Sequence, residues 1–219
     1  MGTISVIRRT ISQDPPCWQL VGICERVAAF GLLTLSLPVT LASALAIFIL
    51  SRRTPLIAHR RIGRNGATLW MLKLRTMWDR GAAPASPGGL IEYIADDRGP
   101  ECKLENDPRV PCRFAQFLRR HSIDELPQLL HVMAGEMSLV GPRPVTAPEL
   151  DKYYGVDADE ILRLRPGLAG LWQISGRNRL SDAGRRRLDL TYVRHRTVGM
   201  YLGILLRTVP EVLSGRNSW

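Results

Sequence analysis

The sequence predicts a mostly helical α/β protein that carries its own membrane segment. Three observations carry that reading. Residues 27–51 form a 25-residue apolar run without a charged side chain. A turn at Gly63-Arg64-Asn65-Gly66 separates two short apolar runs, and helix start and stop signals recur after residue 113. At 219 residues and 45% hydrophobic content the chain is long enough to bury a core and too apolar for a disordered tail. Thirty Lys and Arg against twenty Asp and Glu leave a net charge of +10, which favours polyanionic partners such as lipid headgroups, phosphorylated substrates or nucleic acid.

The apolar run comes first. Roughly 20 apolar residues suffice to cross a bilayer core, so insertion is the direct reading, and a signal peptide with its shorter apolar region (~7–15 residues) fits less well. Pro38 lies in its middle and removes one helical hydrogen bond, freeing the carbonyl of residue 34; the hydroxyls of Thr34 and Ser36 are the nearby candidates to compensate. Two topologies follow: a kinked spanning helix, or a re-entrant hairpin that dips into one leaflet. Arg8, Arg9 and Arg26 precede the run and Arg52, Arg53, Arg60, Arg61 and Arg64 follow it, so both flanks carry the positive charge of cytoplasmic loops.

Residues 54–219 read as a cytosolic, membrane-associated domain, with residues 1–53 as an N-terminal segment. A hairpin is expected over 54–78, its second strand near Trp70–Met77. Residues 79–101 lack helical periodicity and read as an inserted loop. Helices are expected at 113–121, 123–134 and 149–165, a Gly-rich loop at 166–178, and a long helical region from 181, interrupted near Gly199 and stopped at Pro210. Cys17, Cys24, Cys102 and Cys112 have no metal-ribbon or disulfide-framework spacing, and His59, His121, His131 and His195 no zinc spacing. No repeat and no helix-turn-helix pattern is evident, and a lipid-length segment has no role in nucleic-acid binding.

The densest chemistry is Arg119-Arg120-His121-Ser122-Ile123-Asp124-Glu125-Leu126-Pro127. Pro127 places a helix start close to Ser122 or Asp124, and Ser122-x-x-Glu125 matches a capping box, so both acids have a structural explanation. The functional explanation uses the same residues: one carboxylate as nucleophile, kept anionic by backbone amides and Arg119, and the other as ligand to Mg²⁺. A carboxylate attacking a phosphate needs cationic company. Gly141-Pro142-Arg143-Pro144 supplies a rigid guanidinium, with two X-Pro bonds either of which can be cis. Arg165–Asn178 adds glycines that let backbone approach a ligand closely.

The ordered set Lys73-Leu-Arg75-Thr-Met, Asp107-Pro-Arg109-Val, Leu118-Arg119-Arg-His-Ser122-Ile-Asp124-Glu125-Leu-Pro, Gly135-Glu-Met-Ser-Leu-Val-Gly-Pro-Arg143-Pro and Pro166-Gly-Leu-Ala-Gly-Leu-Trp-Gln-Ile-Ser-Gly-Arg177-Asn resembles the bacterial sugar transferases, the monotopic phosphoglycosyl transferases. The resemblance runs from about residue 24 to the C-terminus. It implies a re-entrant membrane helix hairpin with interfacial amphipathic helices around a small catalytic core, on the cytoplasmic face of the bacterial inner membrane. It implies transfer of a hexose 1-phosphate from a UDP-sugar to undecaprenyl phosphate with release of UMP, starting a surface polysaccharide. Asp124 becomes the nucleophile of a covalent aspartyl phosphosugar and Glu125 the Mg²⁺ ligand. Arg119, Arg143 and Arg177, then Lys73 and Arg75, become phosphate contacts, and Ser36 and Pro38 mark the anchor.

The Gly-Leu-Trp-Gln-Ile-Ser-Gly-Arg-Asn form resembles the hexose branch, favouring UDP-galactose or UDP-glucose over an acetamido-sugar donor. A non-catalytic, membrane-tethered scaffold that binds anionic lipid is the rival reading, and self-association is left open. The chain departs from the family at Leu37, which separates Ser36 from the membrane proline, at His131 in place of the usual Asn, and at Arg196 and Tyr201 in place of Trp and Asp. Asp189 and Tyr192 match.

Overall fold

The structure, a computed structural model, describes residues 14–78, 90–95, 110, 112–176 and 180–214. Its first element, α1, is one helix over Pro16–Ser51, 36 residues long. It starts earlier than the apolar run because Pro16 sits at the first helical position, where its fixed φ suits a helix and its missing N–H costs nothing. The helix continues unbroken through Pro38. The expected hydroxyl compensation takes another form: Thr34 Oγ1 donates to the Phe30 carbonyl at 2.9 Å, Ser36 Oγ to Leu33 at 3.3 Å and Thr40 Oγ1 to Ser36 at 2.9 Å, so none reaches the carbonyl of Thr34. Gly22, Glu25, Ala29, Ser43 and Ile47 are buried, three or four residues or a multiple of a turn apart, and mark one face. The other faces expose large apolar side chains, Leu35 at 79%.

Both ends of α1 pack on the same body. Near its start, Trp18 and Val21 join Tyr201 and Ile204; near its end, Ile47 packs with Leu74 and Leu118. Between them Ala29 and Leu33 meet Leu129 and Val132.

The hairpin is present. β1 (Leu56–Ile62) pairs antiparallel with β2 (Thr68–Leu74), Ile57 opposite Lys73 and His59 opposite Met71. Residues 79–101, expected as a loop, instead place β3 (Ile91–Ile94) parallel to β1, Leu56 opposite Ile91, giving the sheet order β2-β1-β3. The short Ile-Glu-Tyr-Ile run is too brief to stand out among the Gly, Ala and Pro around it, and pairing along the β1 edge supplies the backbone partners it lacks alone.

α2 (Arg113–Arg120) matches expectation. The next expected helix divides: Ile123–Gln128 is a 3₁₀ turn containing Pro127, and α3 (Leu129–Ala134) follows, ended by Gly135 at φ 78°. β4 (Ser138–Val140) leads through Gly141-Pro142-Arg143-Pro144 to α4 (Ala147–Glu149), where Thr146 and Glu149 form a capping box. No cis peptide bond occurs among the described residues. The single helix expected over 149–165 is broken into a π turn at Leu150–Tyr154, a 3₁₀ turn at Gly155–Asp157 and α5 (Ala158–Ile161), because Gly155 takes φ 48°.

Within the expected Gly-rich loop, β5 (Gly167–Ala169) pairs parallel with β4, and α6 (Leu171–Ile174) follows. Glycine is required there: a Cβ on Gly167 would lie 2.0 Å from the Gly141 nitrogen, and one on Gly141 would lie 2.5 Å from the Arg165 carbonyl. α7 (Asp182–His195) starts on Ser181, whose hydroxyl accepts from Gly184 N–H, and α8 (Val198–Ser214) follows. The interruption falls at Arg196-Thr197 rather than Gly199, and α8 runs past Pro210 to Ser214 instead of stopping there. Pro210 lacks the N–H that would bond the Leu206 carbonyl, and the helix runs one more turn beyond it.

Two of the family departures tie the first helix to the last two. Tyr201 donates its hydroxyl to Glu25 at 2.7 Å, and Arg196 lies 4.1 Å from the Trp18 ring centroid while pairing with Asp14 at 2.8 Å. Glu25, 4% exposed, also accepts from the Leu139 amide at 2.9 Å and from the Ser138 hydroxyl. This buried carboxylate thus docks α1 onto β4 and α8, with hydrogen bonds compensating its desolvation.

Candidate active site

Asp124 and Glu125 occupy the 3₁₀ turn between α2 and α3. Ser122, immediately before it, has φ 53° and ψ 25°, and its side chain makes no capping hydrogen bond. The capping-box explanation of the acid pair therefore does not hold. A 3₁₀ turn directs successive side chains about 120° apart, so the neighbouring acids diverge. Asp124 is 9% exposed, whereas Glu125 is half-buried and accepts from Lys73 Nζ at 2.9 Å.

Lys73 reaches Glu125 from the end of strand β2, and its position is fixed by a neighbour. Leu72 N–H donates to His131 Nε2 at 3.2 Å, and His131 Nδ1 lies 2.6 Å from a Glu136 carboxylate oxygen. A ring that accepts at Nε2 carries its proton on Nδ1, facing Glu136. His131 thus joins α3 to the strand that presents Lys73.

Glu125 and Ser122 also line an open groove of about 320 Å³ between α1, α8 and the core. Leu32 and Leu35 of α1, Leu126, Leu168, Ile174 and Leu205 make its walls predominantly apolar, and Ser36 belongs to it too. His121 stands at its edge, its Nδ1 3.2 Å from the Val212 carbonyl of α8. Glu125 thus sits where an apolar channel meets charged side chains, with Asp124 buried beside it.

Of the expected phosphate contacts, Lys73 is brought to the acid pair. Arg119 is half-buried near the end of α2, one turn before Ser122, and its guanidinium has no carboxylate partner among the described residues. Arg75 is 5% exposed and committed to structure: its Nε donates to the Thr54 carbonyl at 2.8 Å and its Nη2 pairs with Glu92 of β3. Arg177 lies outside the described residues. Pro38 lies inside α1 and is not among the residues lining the groove.

Arg143 is held in a second cluster. Asp189 of α7, 1% exposed, accepts from the Tyr154 hydroxyl at 2.7 Å and from the backbone amide of Arg143. Burial pushes the Asp189 carboxyl up to about 6, against the hydrogen bond from Tyr154 and the charges of Arg143 and Arg185. Burial and the Asp189 charge together keep the Tyr154 phenol protonated well above its ordinary range. The Arg143 guanidinium lies 5.6 Å from the Trp172 ring centroid and 3.7 Å from Glu149. Sequence reading did not identify Trp172, Arg185 or the Tyr154–Asp189 pair as parts of one cluster. Asp189 and Arg185 share a helix face by i, i+4 spacing, the signal that was available.

No group of three or more His, Cys, Asp and Glu suitable for a metal occurs among the described residues. Mg²⁺ does not demand one, because it is commonly held by one or two carboxylates together with substrate phosphates and water. Glu125, exposed to the groove next to Asp124, fits that donor set.

A family model described as bacterial sugar transferase matches residues 19–215. The UDP-galactose-lipid carrier transferase of Erwinia amylovora is 40% identical over 197 residues, covering 86% of this chain and 39% of that protein. The exopolysaccharide production protein ExoY of Rhizobium meliloti is 46% identical over 167 residues, 74% of this chain and 71% of the relative. The UDP-glucose:undecaprenyl-phosphate glucose-1-phosphate transferase of Caulobacter vibrioides is 38% identical over 205 residues, 90% of this chain and 71% of the relative. The chain thus spans about two fifths of the Erwinia relative and about seven tenths of the other two.

Proposed function

The chain belongs to the bacterial sugar transferase family, and from that premise we propose that it moves a hexose 1-phosphate from a UDP-sugar onto undecaprenyl phosphate, releasing UMP at the first step of exopolysaccharide assembly. The observation that carries this reading is the placement of the acid pair. A Lys73-paired Glu125 stands at an apolar groove walled by the one helix, among the described residues, that is long and apolar enough to enter a membrane, and Asp124 is its neighbour in the same 3₁₀ turn. A water-soluble anionic donor and a lipid-borne acceptor can meet only at such a boundary.

The reaction divides into two displacements. An Asp124 carboxylate oxygen attacks the β-phosphorus of the donor, the bond from that phosphorus to the bridging oxygen breaks, and UMP departs with the oxygen. The terminal phosphate oxygen of undecaprenyl phosphate then attacks the same phosphorus, the acyl–oxygen–phosphorus bond opens, and Asp124 returns as a carboxylate. Neither displacement requires a net proton. Repulsion between carboxylate and diphosphate is the main barrier to be lowered, and Lys73, Arg119 and Arg143 are the side chains assigned to it, with Arg177 expected beside them. Bound Mg²⁺ would neutralise charge on the leaving phosphate, with Glu125 as its protein ligand.

We further place α1 as a re-entrant element, dipping into one leaflet of the bacterial inner membrane from the cytoplasmic side. The support is geometric: Trp18 near one end and Ile47 near the other both pack on the same catalytic body, which a helix crossing the bilayer to its far face would not allow. UDP-galactose and UDP-glucose are the favoured donors, matching the substrates in the names of the Erwinia and Caulobacter relatives. Supplying undecaprenyl phosphate and Mg²⁺ with UDP-galactose, UDP-glucose or a UDP-acetamido-sugar in turn, and measuring UMP, tests the assignment. Release with a hexose donor supports it; release from the acetamido-sugar alone overturns the donor, and no release from any donor overturns the reaction.

A further inference from the structure

The surroundings of Arg185 are those of a binding group. It projects from the first turn of α7 toward Trp172, its guanidinium carbon 5.3 Å from the ring centroid. Arg143 lies 5.6 Å from the same centroid, so one indole holds two cations. Like charges gathered on one ring repel; buried Asp189 offsets this in part, and the two other nearby acids do little. The Arg185–Asp182 contact is 3.9 Å long with Asp182 53% exposed, and the Arg143–Glu149 contact is 3.7 Å long. Glu149 is already engaged in the Thr146 capping box.

The arrangement is also built rather than incidental. Trp172 is buried at 7% exposure, and the loop carrying Arg143 is held by a hydrogen bond from its backbone N–H to buried Asp189, one turn along α7 from Arg185. Inside this cluster Arg185 Nε and Trp172 Nε1 are buried donors, and Asp189 Oδ1 a buried acceptor, without a hydrogen-bond partner, so polar capacity is left over for a ligand. The outer part of the Arg185 side chain remains reachable, at 26% exposure. α6 links the platform to the groove: Trp172 faces the arginines, and the next residue, Gln173, lines the groove that Glu125 lines.

We propose that Arg185 is a second phosphate-binding side chain of the donor site, set beside Arg143 on the Trp172 platform to grip the diphosphate of a nucleoside diphosphate sugar. Two guanidiniums on a rigid mount match a diphosphate better than either alone, since their planar donor arrays are positioned before the ligand arrives. The inference rests on the function proposed above and extends it from the reacting acids to the group that holds the leaving diphosphate.

The test uses the full chain in detergent or nanodiscs with Mg²⁺, comparing wild type with Arg185→Gln, Arg185→Lys and, as a control, Arg187→Gln on the same helix. UDP affinity is measured by calorimetry, and KM for the UDP-hexose and for undecaprenyl phosphate by UMP release. The expected result is at least a tenfold loss of UDP affinity and a matching rise in donor KM for Arg185→Gln. Acceptor KM should stay within twofold, Arg185→Lys should recover part of the loss, and Arg187→Gln should resemble wild type. Unchanged UDP affinity in Arg185→Gln, or a parallel rise in both KM values, would overturn the assignment, the second outcome marking a structural role. A wild-type chain that neither binds UDP nor releases UMP would instead refute the reaction itself, so the two failures are distinguishable.

Discussion

Lys73 Nζ stands 2.9 Å from Glu125 Oε1, joining the end of strand β2 to the 3₁₀ turn that carries the acid pair. The two side chains are about one quarter exposed, so water screens the pair and its contribution to stability is small, about 0.2–1 kcal/mol. In the proposed reaction its value is electrostatic, placing a cation where an anionic donor would approach the Asp124 carboxylate. Lys73→Met should therefore lower kcat by about 100-fold, the scale of losing one oriented charge, while shifting the melting temperature by only a few degrees. Thermal unfolding and UMP release on the same preparation check both halves.

Gly167 and Gly141 allow β4 and β5 to pass closely enough to set the Arg143 loop. A Cβ on Gly167 would fall 2.0 Å from the Gly141 nitrogen, and backbone on both sides cannot yield as a flexible side chain would. Gly167→Ala should cost about 3 kcal/mol, the upper end for overpacking, read as a lowered denaturant midpoint. Gly31→Ala, with nothing within 4 Å of the added carbon, should have no comparable effect.

Asp189 makes stability depend on pH in an unusual direction for a carboxylate. Burial raises its folded-state pKa to about 6, above the ordinary value of 3.8, so the folded protein binds this proton more tightly than the unfolded chain does. Its stabilising contribution is complete below about pH 4 and is lost as pH rises through 6, by about 3 kcal/mol. Asp189→Asn, which cannot ionise, should gain stability relative to wild type as pH rises from 4 to 7. Urea titrations at intervals across that range read the difference; a gap that stays constant would refute the buried-charge account.

The packing of both ends of α1 on one body makes a topological prediction. Cys17 is exposed near the start of α1, and Ser51 closes it. With the other cysteines replaced, a lone Cys17 and a lone Ser51→Cys should react with a membrane-impermeant maleimide from the same side of sealed vesicles. Labelling from opposite sides would establish a spanning helix.

Much of this architecture was legible in the sequence. The apolar run, the β1–β2 hairpin with its Gly63–Gly66 turn, α2 and the order of the charged motifs all follow from local patterns, which neighbouring residues determine. What was not legible depends on partners distant in sequence. β3 becomes a strand only along the β1 edge, and Pro38 stays inside a helix whose one face is held against the body. The 149–165 helix breaks at a single positive φ. Ser122-x-x-Glu125 has the letters of a capping box, but Glu125 turns to Lys73, 52 positions away. The Trp172 platform draws on four separate segments, so no window of sequence contains it.

Mass spectrometry of the enzyme incubated with a UDP-hexose and Mg²⁺ but no acceptor is the most direct measurement of the central claim. The account predicts a mass increase of one phosphohexose, mapped to the peptide containing Asp124, discharged by undecaprenyl phosphate and absent from Asp124→Asn. Full turnover with no adduct at any time after mixing, or the same adduct on Asp124→Asn, would contradict it.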